Sequence, residues 1–179
     1  MKLSARFGAI AVALAVAAAA RPVEAVKISR FDAIGSGTTF TADCTPSSSF
    51  CNATFSGRLQ SNLLAAATVT ATLVVNHSSG FVCIDATCTN QCFGASGTGT
   101  MTKLHTGDTI TFGEAGLLCS VPPTFVPETF NGTYFVEGGT GAFANAIGAG
   151  NATASANGSQ NAPVILFSLS GTLGASAPE

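Results

Sequence analysis

The chain has 179 residues, of which 9% are charged, and its formal net charge is −2. Beyond residue 25 it keeps four basic and eight acidic residues, a formal charge of −4, with no basic cluster that would attract a phosphate backbone. Nucleic acid is therefore excluded as a partner, and the length fits one domain with a hydrophobic core.

The first 25 residues have the pattern of a secretory signal peptide. Two basic residues precede an apolar run over 7–20, and Val23-Glu24-Ala25 supplies small residues where a signal peptidase cleaves. The run is shorter than the ~20 residues of a membrane-spanning helix, which makes a membrane anchor the weaker interpretation. We predict cleavage after Ala25, or alternatively after Ala20, and a secreted chain 26–179 with no membrane span. If the source is bacterial, the alternative location is the periplasm.

The rest of the chain predicts strands, because apolar and polar side chains alternate and no window has the spacing of an amphipathic helix. Residues 68–75 are the clearest case: Val69, Ala71, Leu73 and Val75 would face one way and threonines the other. Predicted strands, in chain order, cover 26–33, 38–41, 54–59, 68–75, 81–84, 101–105, 109–112, 133–137, 149–156 and 164–173. About eight to ten short strands separated by turns favour a sandwich or barrel.

An even number of cysteines in an exported chain predicts disulfides. The six are Cys44, Cys51, Cys83, Cys88, Cys92 and Cys119. A Cys44–Cys51 bond would close a short turn. The cluster Cys83, Cys88 and Cys92 would then share one internal bond and send one partner to Cys119. A metal site is the weaker alternative, because the cluster lacks a second cysteine pair at zinc spacing and neither histidine is near it in sequence.

Five Asn-x-Ser/Thr triplets predict glycan acceptors on exposed loops if the source is eukaryotic. They begin at Asn52, Asn76, Asn131, Asn151 and Asn157. Because serine and threonine are common in this chain, some of these matches are expected by chance.

Residues 139–144 match the Gly-x-Gly-x-x-Gly/Ala pattern of dinucleotide-binding loops. That pattern binds a pyrophosphate at the start of a helix and needs an acidic residue about twenty positions later. Here Gly148 and Gly150 disfavour a helix, and the next acidic residue is Glu179. The glycines instead predict a tight strand-to-strand turn formed by Gly138, Gly139, Thr140 and Gly141.

The sequence offers no complete catalytic constellation. His77 lies in a predicted turn, and His105 with Asp108 has no nucleophile context beside it, so a solvated surface histidine is the better interpretation. Asp108, Glu114 and Glu137 are the acidic residues nearest to strand ends, and nothing indicates that they converge as a carboxylate pair. No metal site or cofactor is predicted.

Three segments resemble the secreted allene oxide cyclase and dirigent β-barrels. The quoted patterns are Phe130-x-Gly132-x-Tyr134-x-Val136-x-Gly138-Gly139-Thr140-Gly141-x-Phe143-Ala144-x-Ala146-x-Gly148-x-Gly150, Gly107-Asp108-Thr109-Ile110-x-Phe112-x-x-x-Gly116 and Phe167-Ser168-Leu169-Ser170-Gly171-Thr172-Leu173. The resemblance implies an all-β fold: a single antiparallel barrel of about eight strands, here stabilised by disulfides. The chain departs from that group at Ala142, where a basic residue is common, and in its cysteine cluster.

This resemblance leaves several functions open. The first is a secreted, non-catalytic barrel that binds a small apolar or phenolic ligand, or an extracellular glycan or protein. The second is a dirigent- or cyclase-like protein that steers a hydrophobic substrate, with Asp108, Glu137 and Tyr134 as candidate residues. Regular alternation puts Tyr134 and Glu137 on opposite faces, which argues against one shared site. The third is a structural extracellular glycoprotein. The observation that separates them is whether the lumen is an open cavity with an inward carboxylate, because a lumen packed solid with apolar side chains would exclude the second function and move any binding to the loops.

Overall fold

The computed structural model describes residues 27–42, 49–83, 86–88, 90–120, 127–157 and 164–175. The predicted signal peptide and Cys44 lie outside these residues. In this part of the chain no helix is long and apolar enough to cross a membrane.

The described residues form nine strands and one short 3-10 helix. They are β1 (Lys27–Ala42), β2 (Phe50–Ser61), β3 (Ala65–Asn76), β4 (Val82–Cys83), β5 (Gln91–Lys103), β6 (Thr109–Ser120), β7 (Pro127–Gly139), the 3-10 helix (Gly141–Phe143), β8 (Ile147–Asn157) and β9 (Val164–Ala175).

Eight long strands close into an antiparallel barrel, and the two-residue β4 adds to one end of β5. Each long strand pairs with the long strands before and after it in the chain, and β1 pairs with β9 from Lys27↔Ala175 to Gly37↔Ile165. The closing pairing of β3 with β5 runs from Ala67↔Lys103 to Asn76↔Gly94. The prediction of an all-β barrel of about eight strands is confirmed.

The individual strands differ from the sequence prediction where glycine is abundant. Predicted strands 26–33 and 38–41 belong to one strand, β1, which passes through Gly35 and Gly37 and changes register between Gly37 and Thr39. Most of β5 was not predicted, because its residues 94–100 are glycine, alanine, serine and threonine without large apolar side chains. Predicted strand 81–84 is reduced to β4 among the described residues.

The barrel interior contains the side chains of every second residue. On β3 these are Ala67, Val69, Leu73 and Val75, all buried, as the alternation predicts. One end of the barrel, where the β2–β3 and β5–β6 turns lie, is filled by large buried side chains. They are Phe31, Leu64, Met101, Ile110, Phe143 and Leu173. This end is therefore closed by packing.

Inward aromatic rings lie over glycines on neighbouring strands. Phe112 occupies the space that a Cβ atom at Gly99 would need, and Phe167 does the same at Gly35. The ring of Tyr134 covers Gly150 and reaches Gly171. Glycine in these strands therefore makes room for rings inside a narrow barrel.

Two disulfides join described cysteines, Cys83–Cys88 and Cys92–Cys119. This is the predicted arrangement of one bond within the cluster and one to Cys119. Cys92 and Cys119 are direct partners across β5 and β6. Cys51 is also disulfide-bonded, and its predicted partner, Cys44, lies outside the described residues.

The Gly-Gly-Thr-Gly segment is a corner between β7 and β8. Gly138 (φ 139°) and Gly141 (φ 56°) take backbone conformations that other residues rarely adopt. The backbone N–H of Thr140 donates to the Thr109 carbonyl (2.9 Å), and the Thr140 hydroxyl accepts from the Thr109 N–H (3.0 Å). A three-residue 3-10 helix follows, so the dinucleotide pattern has no α-helix behind it.

Candidate functional site

The barrel contains a cavity of about 90 Å³ in the half opposite the packed end. Its lining is mainly apolar and comes from six of the eight long strands, β2, β3, β6, β7, β8 and β9. The inward residues that line it include Ala53, Phe55, Val69, Ala71, Leu73, Phe112, Glu114, Leu118, Phe130, Ala152, Ile165, Phe167 and Leu169. The lumen is therefore not packed solid along its whole length.

Glu114 is the one charged residue among the described residues that line this cavity. It lies on β6 with the inward residues Phe112 and Leu118, and its exposed fraction is 9%. No described residue forms a hydrogen bond or ion pair with its carboxyl group; the described ion pair is Arg30–Asp32 on the outer face. Burial in apolar surroundings raises the pKa of Glu114 from its ordinary 4.5 to about 7. The cavity therefore has on its wall one carboxyl group, that of Glu114, which gains or loses a proton near neutral pH.

Tyr134 lies directly across from Glu114 in the β6–β7 ladder and also points inward. It is 1% exposed, its ring and that of Phe31 pack edge to face at a centroid distance of 6.1 Å, and no described residue forms a hydrogen bond with its hydroxyl. Burial and then the charge of Asp32 raise the pKa of Tyr134 to about 12, so the phenol stays neutral. Tyr134 therefore forms part of the barrel wall beside Glu114, without a negative charge of its own.

The other two candidate residues lie away from the cavity. Glu137 is exposed on the outer face of β7, as the alternation predicts. Asp108 lies in the β5–β6 turn, where its carboxylate accepts a hydrogen bond from the Thr106 hydroxyl (2.8 Å) and contacts the Gly141 corner. Asp108, Glu137 and Tyr134 are not brought together.

The histidines occupy separate positions. His105 is exposed in the β5–β6 turn. His77 follows β3, where its ring lies 4.4 Å from that of Phe93 and its Nε2 atom lies 3.9 Å from Cys51 Sγ. Among the described residues, no three histidine, cysteine or acidic side chains form a group that could hold a metal ion.

The predicted glycan acceptors that the structure describes lie on the outside of the barrel. Asn52, Asn131 and Asn151 are exposed on strands rather than loops. Asn76 is half-buried, and its side-chain oxygen accepts hydrogen bonds from the Ser78 backbone N–H (3.0 Å) and hydroxyl (2.7 Å). The side chain of Asn157 lies outside the described part.

No protein-family model and no curated protein sequence matches the chain. The chain aligns with the solved structure of the pterocarpan synthase dirigent protein GePTS1 at 14% identity and a TM-score of 0.40, over 84% of this chain and 89% of that one. At this distance the likeness carries no argument about ligand or reaction.

Proposed function

We propose that the protein is a secreted β-barrel that binds a small, mainly apolar ligand in its lumen, where Glu114 contacts the polar group of the ligand. The observation that carries the proposal is an apolar cavity with one buried, unpaired carboxyl group on its wall. Apolar pockets with a few convergent polar groups and a perturbed pKa are typical of ligand sites. The disulfides fit an oxidising, extracellular environment.

The size of the cavity limits the ligand. Most ligand pockets have volumes of roughly 300–1,000 Å³, whereas this one has about 90 Å³. The lumen therefore suits a single ring, a short chain, or the end of a longer molecule that extends out of the barrel.

Ala71→Leu tests this proposal because Ala71 points inward and lines the cavity. Ala115→Leu is the matched control, since Ala115 is exposed on the outer face of β6 beside Glu114. In ¹H–¹⁵N NMR titrations, toluene and phenol should shift amides of the lumen strands in the wild type and in A115L, and not in A71L. Shifts confined to outer-face residues, or equal binding by A71L, would contradict binding in the lumen.

A second candidate function is the steering of a reactive hydrophobic substrate, as in a dirigent protein or cyclase. It is favoured by the protonatable Glu114 on the cavity wall and by the neutral phenol of Tyr134, its cross-strand partner. Its test is the product distribution of monolignol-radical coupling and of allene oxide cyclisation with and without the protein. If the product distribution is the same with and without the protein, the result supports binding alone. If the protein changes the distribution and Glu114→Gln abolishes that change, the result supports this second function.

A further inference from the structure

We propose that the lumen ligand carries a protonated amine, and that Glu114 and the phenylalanine rings around the cavity form an ammonium site. This inference rests on the proposed binding in the lumen and narrows the ligand to one chemical class.

The first argument is charge. A carboxylate inside an apolar barrel is costly unless a cation or hydrogen-bond donors compensate it. The four basic residues beyond the predicted leader are all described, and none forms an ion pair with Glu114. Lys27, Arg30 and Arg58 are exposed, and Lys103 is the last residue of β5. The described part of the chain therefore supplies no counterion for Glu114, and a cationic ligand would supply one.

The second argument is the aromatic wall. Phe55, Phe112, Phe130 and Phe167 line the same cavity as Glu114, and the rings of Phe55 and Phe167 meet edge to face at 5.1 Å. Ring faces attract cations, and sites for ammonium ligands combine such rings with a negative charge. A neutral apolar ligand would use the rings and leave the carboxyl group unpaired.

The third argument concerns a metal ion as the alternative cation. A hard cation such as Ca²⁺ takes six or more oxygen ligands, and Mg²⁺ also needs an octahedral shell. Within the described residues, Glu114 offers one carboxyl group to an otherwise mainly apolar cavity. An organic ammonium needs fewer hydrogen bonds and brings apolar carbon to the phenylalanine rings.

Benzylamine and benzyl alcohol test the inference because they share one ring and differ in the charged group. NMR titrations at pH 8 would be made with the wild type, with Glu114→Gln, and with Glu137→Gln as a control for loss of an outer-face carboxylate. We expect benzylamine to bind the wild type about tenfold to a hundredfold more tightly than the alcohol, the range of a charge-assisted hydrogen bond. E114Q should remove that preference and E137Q should keep it.

The outcomes separate this inference from the function on which it rests. If benzyl alcohol binds in the lumen as tightly as benzylamine, or if E114Q keeps the preference for the amine, the ammonium site is wrong and lumen binding stands. If neither compound shifts a lumen amide, lumen binding is wrong and the inference falls with it. Retained binding of the alcohol by E114Q shows that this variant keeps a folded lumen.

Discussion

Glu114 ties the stability of the barrel to pH. Its pKa in the folded protein is about 7, above its ordinary value of 4.5, so the folded state holds a proton that the unfolded state has lost between these values. Stability from this group is therefore fully present below about pH 4.5 and is lost as pH rises to about 7. From below pH 4.5 to above pH 7, titration of Glu114 should lower the free energy of unfolding by about 3 kcal/mol.

Glu114→Gln should remove this dependence. The amide keeps the shape of the side chain and carries no charge to desolvate, so E114Q should be more stable than the wild type at pH 8 and close to it at pH 4.5. Urea denaturation at both pH values measures the difference, and Glu137→Gln should follow the wild-type profile. An equal offset between wild type and E114Q at both pH values would contradict a buried, titrating carboxyl group.

Sequence parity was enough to separate Tyr134 from Glu137, and the structure places them on opposite faces. The same parity, counted from Ile110 and Phe112, places Glu114 inside the barrel. The predicted strand ended at Phe112, because Gly113 and Gly116 interrupt the apolar pattern, so Glu114 was treated only as an acid near a strand end. A carboxyl group without a partner can be recognised only when the opposing strands are known.

At the level of the strand, glycines differ in whether an added Cβ atom would meet backbone or a side chain. A Cβ atom at Gly97 on β5 would collide with the backbone carbonyl of Thr72 on β3. The atoms nearest to a Cβ atom at Gly113 on β6 would belong to the ring of Phe135, which lies half-exposed on the outer face. The first obstacle is fixed by the sheet, whereas the second is a side chain that can rotate away.

Gly97→Ala and Gly113→Ala form a matched pair for this distinction. We expect G97A to lower the free energy of unfolding by about 1–3 kcal/mol or more, as overpacking does. G113A should cost much less, because Phe135 can move into solvent. Thermal denaturation of both variants measures the order, and a larger loss for G113A would contradict the structure.

These glycines also explain why β5 was not predicted. Prediction of strands relied on large apolar side chains at every second position, and Gly97 and Gly99 interrupt that series on β5. Phe112 supplies the missing apolar bulk from the neighbouring strand. Since this compensation comes from β6, the local sequence of β5 does not contain it.

For the whole molecule, two disulfides constrain loops of different length. Cys92–Cys119 spans a sequence separation of 27 residues and joins two barrel strands, whereas Cys83–Cys88 spans 5. A longer closed loop removes more entropy from the unfolded chain. The barrel should therefore depend more on the Cys92–Cys119 bond.

Replacing both cysteines of each pair by alanine measures how much each disulfide contributes to the free energy of unfolding. The chain-entropy relation gives a loss of about 3.5 kcal/mol for C92A/C119A and about 2 kcal/mol for C83A/C88A. Guanidinium denaturation without reductant compares the two double variants with the wild type. Equal losses would show that local packing, rather than loop length, sets the contribution of these bonds.

The fold class was predictable as a whole, because alternation and turns favour an all-β sandwich or barrel and the resemblance that includes the corner motif implies an antiparallel barrel. The bond to Cys119 was also predictable, since four cysteines remained after the short Cys44–Cys51 loop was assumed. The cavity was not, because its volume depends on which inward side chains face one another across the barrel.

The pairing of β1 with β9 has a consequence for how the protein meets other chains. Within the described residues, every long strand has a hydrogen-bonded neighbour on both sides, so the barrel has no long edge strand with a free row of backbone donors and acceptors. Such free rows are the usual starting point for strand-by-strand aggregation. Because the chain has few charged residues to repel its own copies, the continuous hydrogen-bonded ring is the structural feature that opposes strand-by-strand association.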